Sequence, residues 1–243
     1  MKNETAWKPT KFVQTRRGLR ASRDRQEVYV GSRISADGAA AALELALQKH
    51  ARGRLLDLGA GKAPLYGVYR PLVDEVVCID WEESLHGTSY LDLTADLNEG
   101  LPLPDAAFDT VLSTSVFEHL RSPELAWAEA ARVLRPGGAL IVHVPFLYWL
   151  HEEPHDYFRY TEHALRAYAE RSGLRVVELK ATGGGLAALA DLVARFVAPL
   201  PWLCAAHVAA SQAVLRSAWG RKLSSSERAR RLPLGYCLVA VKA

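Results

Sequence analysis

Short runs of consecutive apolar residues alternate along this chain with stretches in which apolar positions recur every three or four residues. RLLDL (54–58), EVVCID (75–80), FDTVLSTS (108–115) and GALIVHVP (138–145) are rich in Val, Ile and Leu, as expected of parallel strands buried on both faces. LRVVELK (174–180) and YCLVAVK (236–242) complete the set of predicted strands. Helical periodicity marks AAAALELALQKHA before the first strand, PELAWAEAARVL (123–134) before the fourth and TEHALRAYAERSG (161–173) before the fifth. Pro136-Gly137-Gly138 and Gly173 supply stop signals for the last two. The alternation predicts an α/β fold with a doubly wound parallel sheet, built as a single domain over 1–243. Residues 1–33, an N-terminal arm or lid, and 183–234, a helical insertion, fall outside the alternation.

Composition narrows the function classes. At 243 residues and 49% hydrophobic, the chain can bury one large core. Cys78, Cys204 and Cys237 are odd in number and widely spaced, which argues against a disulfide framework and a tetrahedral zinc site, so no metal is expected. The polar start MKNETAWKPTKF lacks the apolar core of a signal peptide, and a cytoplasmic location is expected. A formal charge of +3 is too small to imply nucleic-acid binding.

RLLDLGAGKAPLY (54–66) raises the first chemical question, because a strand feeding a glycine-rich turn exposes backbone N–H groups to a ligand. Against the dinucleotide pattern G-x-G-x-x-G, the third glycine position is Pro64, and Asp57 would set a negative charge near two phosphates. A cationic ligand such as S-adenosylmethionine removes both objections. Asp80 closes the second strand, placed to accept from ribose hydroxyls, and Trp81 follows it, placed to lie against adenine. Asp96, in DLNEGLPLPDAAFDTVL, sits in the loop before the next long strand, where its carboxylate can take the adenine amino group.

These segments resemble the class I S-adenosylmethionine-dependent methyltransferases, in particular the broad group acting on small molecules. LLDLGAGKAP is similar to the family's first motif, VVCID to its acidic strand end, ADLNEGLPLPDAAFDTVLSTSVFEHL to its adenine-binding and fourth-strand motifs, and RVLRPGGALIVHVPF to the lead into the fifth strand. The resemblance covers roughly 50 to 180. It implies a Rossmann-like seven-stranded sheet of order 3-2-1-4-5-7-6 with YCLVAVKA antiparallel, and S-adenosyl-L-methionine as cofactor. It also implies that Asp57, Gly59, Ala60 and Gly61 hold the methionine end, Asp80 and Trp81 the nucleoside, Asp96 and Leu97 the adenine edge, and that Ser115 lines the pocket. Ala63 departs from the commoner third glycine.

LYWLHEEPHDYFRYT (147–161) is too rich in histidine, acid and aromatic residues for an ordinary connector. It resembles stretches in methyltransferases of polysaccharide and secondary-metabolite pathways, which implies methyl transfer to a hydroxyl of a sugar-containing small molecule. Nitrogen or carbon methylation, or a non-catalytic scaffold subunit, are the alternatives. Tyr148, Asp156, Arg159 and Tyr160 are candidate substrate contacts. His155, beside Asp156, is the first candidate base, with His151 second and His119 third. HEEPH (151–155) formally matches the H-E-x-x-H zinc pattern, but Pro154 disfavours the continuous helix that pattern needs.

Two segments remain. TRRGLRASRDRQ (15–26) reads as a solvated basic helix face or as part of a lid greeting an anionic substrate. In 186–219, Pro199 and Pro201 predict a hairpin of two helices too short to span a bilayer of roughly 30 Å. Its apolar content predicts pocket covering or homodimer formation, with membrane-surface contact as the third option.

Overall fold

The computed structural model describes residues 1–224 and 226–243; Ser225, within the expected insertion, lies outside the described residues. In chain order the elements are β1 (Phe12–Thr15), β2 (Gly18–Ala21), α1 (Arg33–His50), β3 (Arg54–Leu58), α2 (Tyr66–Tyr69), β4 (Glu75–Asp80), β5 (Leu93–Thr94) and β6 (Phe108–Thr114). There follow α3 (Pro123–Val133), β7 (Leu134–Pro145), α4 (Glu162–Arg171), β8 (Leu174–Thr182), α5 (Gly185–Phe196), α6 (Pro201–Arg216), α7 (Ala218–Ser224), α8 (Glu227–Arg230) and β9 (Gly235–Lys242).

Seven strands form one sheet in the order β5-β4-β3-β6-β7-β9-β8, with β9 antiparallel to both neighbours. This is the expected 3-2-1-4-5-7-6 arrangement. The third strand of that scheme, β5, is only two residues long and escaped the sequence pattern because Leu93 and Thr94 are both exposed. Buried positions run unbroken through β3, β4 and the second half of β7, so both faces of the sheet are covered. One core layer packs α3 and α4 on the sheet around Trp127, Phe108, Phe117 and Leu165. The other packs α1 on the opposite face through Leu43, Leu47, Leu55 and Ile141. The chain winds from β3 through β4 to β5 on one side, then returns through β6 and β7 on the other. The direction of winding thus reverses between β3 and β6, where open α/β sheets leave a crevice at the carboxyl ends of their strands.

Two expectations change. α1 begins at Arg33, two turns before AAAALELALQKHA, because Ile34 and Ala36 continue its buried stripe despite Gly38. Asp37, which reads as a breaker, accepts hydrogen bonds from Ala21 N, Gln212 Nε2 and Arg216 Nη2 and ties the helix to its surroundings. The basic helix face of 15–26 is not found: Thr15 pairs with Gly18 in a hairpin whose turn is Arg16-Arg17, and Phe12 and Leu19 are buried. Glu44 of α1 anchors it, accepting from Leu19 N and Gln14 Nε2, and Gly18 (φ 94°) leaves room for that carboxylate. Finally, α5 and α6 form the expected helical pair, and no helix among the described residues is long and apolar enough to cross a membrane.

Candidate functional site

At the crevice, the chain leaves β3 through Gly59 (φ 75°), Gly61 (φ 50°) and Ala63 (φ 48°). Gly59 is forced to lack a side chain, since a Cβ there would lie 2.3 Å from Val116. Ala63 holds a left-handed conformation with its Cβ fully buried, so it fills the third-glycine position at a cost of about 1–2 kcal/mol rather than altering the turn. Gly59 N and Ala60 N donate to Ile79 O at 2.8 and 3.0 Å, and Gly61 N donates to Asp80 Oδ2 at 2.9 Å. The turn is therefore welded to the end of β4.

A cavity of about 660 Å³ opens above it. Gly59, Ala60, Gly61, Asp80, Trp81, Asp96, Leu97 and Ser115 line it. So do Tyr148, His119, His151 and His155. The structure therefore brings together twelve of the sequence-expected residues. Asp80 accepts from Gly61 N, Trp81 N and Ser84 Oγ, and its burial raises its pKa. A carboxylate offers about four lone-pair sites, so ligand hydroxyls would take the remaining one and compete with Ser84. Asp96 is held by Asn98, which donates through both its backbone N and Nδ2 at 2.8 Å.

Four expected residues lie off the cavity wall. Asp57 is buried beneath the turn and accepts from Tyr69 Oη at 2.7 Å. Its side chain points to the core rather than to a ligand's methionine end, because β3 alternates its residues across the sheet. Burial pushes Asp57 up to about 7, with the Asp80 charge adding to the effect. The folded state then binds more protons than the unfolded chain between about pH 4 and 7, and this group's contribution to stability falls as pH rises through that window. Urea melts at pH 5 and pH 8 should show a drop for the native chain that is smaller in Asp57→Asn; equal drops would refute the assignment.

Asp156 and Arg159 form a closed pair, with Arg159 Nη1 and Nη2 donating at 2.6 and 2.7 Å. Although burial works against it, that guanidinium holds Asp156 down to about 2. Tyr160 is buried and donates to Phe117 O at 2.9 Å. Asp156 also sits beside His151 rather than its chain neighbour His155: His151 N and Nδ1 lie 3.0 and 3.2 Å from Asp156 Oδ2. His155 instead has Nδ1 3.2 Å from Tyr157 Oη and its ring edge-on to Trp81. HEEPH is not helical, so the sequence pattern does not place its two histidines one turn apart.

Residues that sequence reasoning passed over complete the cavity. Thr10, Lys11 and Gln26–Tyr29 bring the N-terminal arm onto it, pinned where Lys62 Nζ meets Glu27 Oε1 at 3.0 Å. Of the expected arm, Gln26–Tyr29 line the cavity, while Arg16, Arg17, Arg20, Arg23 and Arg25 stay off the wall. No residue of 186–219 lines the cavity, so the pocket-covering version of that hairpin is not what the structure shows. The hairpin acts one layer behind: Arg195, paired with Asp191 at 2.8 Å, lies 3.9 Å from the Tyr148 ring. Glu118 is fully buried against the cavity, and burial pushes it up to about 8. Its only sequence signal was its place in VFEHL.

The family model for a methyltransferase domain matches residues 56–142, the stretch from β3 into β7. An S-adenosylmethionine-dependent methyltransferase of Mycolicibacterium smegmatis, so described as probable, is 32% identical over 97 residues, which cover 37% of each chain. The chain therefore matches little over a third of the length of that curated relative. Among solved structures, an S-adenosylmethionine-dependent methyltransferase from Mesorhizobium loti superposes with a TM-score of 0.53 at 15% identity, covering 84% of this chain and all of that one. The [4+2]-cyclase SpnF superposes with a TM-score of 0.54 at 20% identity, covering 85% and 82%. These two show the fold alone. The glycine turn with the carboxylates Asp80 and Asp96 on the cavity wall fits a cationic nucleoside cofactor such as S-adenosylmethionine, while Asp57, expected at its methionine end, lies beneath the turn. Residues 56–142 of the chain thus match a methyltransferase domain, and they sit within a fold that solved methyltransferases share.

Proposed function

We propose that this protein transfers a methyl group from S-adenosylmethionine to a hydroxyl of a polar, sugar-containing small molecule. The observation that carries this reading is one cavity lined both by a glycine turn with Asp80, Trp81 and Asp96 and by His119, His151 and His155, with the His155 ring edge-on to Trp81. When bound, the cofactor supplies a methyl group already activated by a cationic sulfur. The chain's own task is then to hold the acceptor near 3 Å from that carbon and to exclude water. Tyr148, set by Arg195, and the arm residues Glu27 and Tyr29 narrow the acceptor side of the cavity. A sugar hydroxyl is a weak nucleophile, so a base must take its proton as the new C–O bond forms. In the tautomer whose Nδ1–H donates to Tyr157 Oη, 3.2 Å away, His155 keeps its Nε2 lone pair for that proton.

Binding of S-adenosylmethionine and S-adenosylhomocysteine by calorimetry, followed by methyl transfer to a panel of glycosylated acceptors, tests the proposal. Methylated nitrogen or carbon would move the acceptor class, and binding without turnover on any acceptor would favour a scaffold subunit. No cofactor binding would overturn the whole reading.

The hairpin supports a second, separate element of the reading, a homodimer. Leu189, Leu192, Val193 and Phe196 of α5 are exposed at helical spacing, and Leu200 and Trp202 continue the patch. Light scattering should report a dimer that Phe196→Glu with Trp202→Glu converts to monomer. A monomer that binds anionic lipid vesicles would instead favour the membrane-surface option.

A further inference from the structure

We propose that Glu118, His119 and His151 form a binding site for one divalent transition-metal ion on the wall of the cavity that the glycine turn also lines. One ligand atom from each of the three lies within 4.8 Å of the others, and His119 Nε2 is 3.8 Å from Glu118 Oε1. The hydrogen bonds fix which nitrogens are available. His119 Nδ1 lies 2.6 Å from His155 O, and a carbonyl only accepts, so Nδ1 carries the proton and Nε2 the lone pair. His151 Nδ1 faces the Asp156 carboxylate, which Arg159 keeps ionised, so its Nε2 is also left with a lone pair. Metal-binding histidines are oriented in this way, through the other ring nitrogen, by a carbonyl or a carboxylate.

The second observation is a deficit of partners. Glu118 is fully buried, and among the described residues neither of its carboxylate oxygens has a hydrogen-bond partner; His119 Nε2 has none either. Buried polar atoms left so are costly, and a cation between them would satisfy all three at once. Two imidazoles and one carboxylate are a set that zinc and non-haem iron(II) both accept while leaving positions open. Glu152 Oε2, 3.9 Å from His119 Nε2, stands ready as a further ligand. The spacings exceed the roughly 3.4 Å between ligand atoms of a tetrahedral site with bonds near 2.1 Å, so loading would draw the loop of His151 inward. HEEPH therefore contributes one ring, from His151, and one carbonyl, from His155, while the second ring comes from the turn after β6. The open positions face the cavity, where they suit oxygen atoms of an acceptor; this last step rests on the methyl-transfer reading, whereas cation binding does not.

The full chain, freed of metal with a chelator, is titrated with Co²⁺, read by ligand-field absorption, and then with Zn²⁺ in competition. One equivalent of Co²⁺ should bind and be displaced by Zn²⁺. His119→Ala and His151→Ala should each weaken Co²⁺ binding at least tenfold, Asp156→Asn by about 10–100-fold, and His155→Ala should leave it unchanged because only its backbone takes part. Circular dichroism identifies any variant that fails to fold, and Asp156→Asn, which keeps both rings, then stands in for it. Failure of the native chain to bind Co²⁺ or Zn²⁺ below about 0.1 mM would overturn the site. So would full binding by the folded His119→Ala/His151→Ala protein, or a thiolate charge-transfer band placing the ion on a cysteine. Calorimetry with S-adenosylmethionine on the same samples keeps the two proposals separate, since retained cofactor binding without metal binding sinks only the metal site.

Discussion

Asp80→Ala should weaken S-adenosylmethionine binding by about tenfold to a thousandfold. A hydrogen bond to a charged acceptor contributes about 1.5–3 kcal/mol, and one or two of them would be lost. The loss has a second component in this structure. Gly61 N, at 2.9 Å, and Ser84 Oγ, at 3.1 Å, both donate to Asp80 Oδ2, so the carboxylate also fixes the glycine turn against β4. Asp80→Asn separates the two, because the amide oxygen can still accept from one of these donors while the charge is gone. Calorimetric affinity should therefore fall in the order native, Asn, Ala. Unchanged affinity in a folded Asp80→Ala protein would remove this residue from the cofactor site.

His155→Ala should lower the single-turnover methylation rate by about 10²-fold while cofactor affinity stays intact, in line with the usual contribution of a general base. The substitution leaves the backbone carbonyl that orients His119 in place. It does remove the ring edge packed on Trp81 at 5.2 Å between centroids, so cofactor affinity must be measured alongside the rate. A rate within about threefold of native on an acceptor hydroxyl would mean that positioning alone accelerates the reaction, or that another group takes the proton.

Much of the framework was open to inspection in the linear chain. Parallel strands buried on both faces have to be continuous apolar runs, and β3, β4, β6 and β7 were found where such runs lie. The glycine-turn lining of the cavity was legible for a related reason. In this topology the residues at strand ends line the crevice, and Gly59, Asp80 and Ser115 are fixed there by the strands themselves. The N-terminal hairpin was illegible because only Phe12 and Leu19 bury side chains, too few to show an alternation among so many arginines. Its order comes from Glu44, a residue of α1 25 positions after Leu19.

By itself, then, the sequence determined six of the seven strands and the identity of the turn, because hydrophobic periodicity and strand-end spacing are local properties of the chain, while the strand order followed from the family resemblance. Only the tertiary structure decided which of several chemically equal residues face the cavity. Asp57 and Asp80 both occupy strand ends, yet Tyr69 covers one while the other lines the pocket. Asp156 adjoins His155 in the chain but reaches His151, because the loop turns back between them. Glu118, His119 and His151 meet across 33 residues of sequence, since β7 carries the chain away from β6 and returns the following loop to the same edge of the sheet. Such encounters depend on the path of the backbone through space, and no spacing along the chain encodes them.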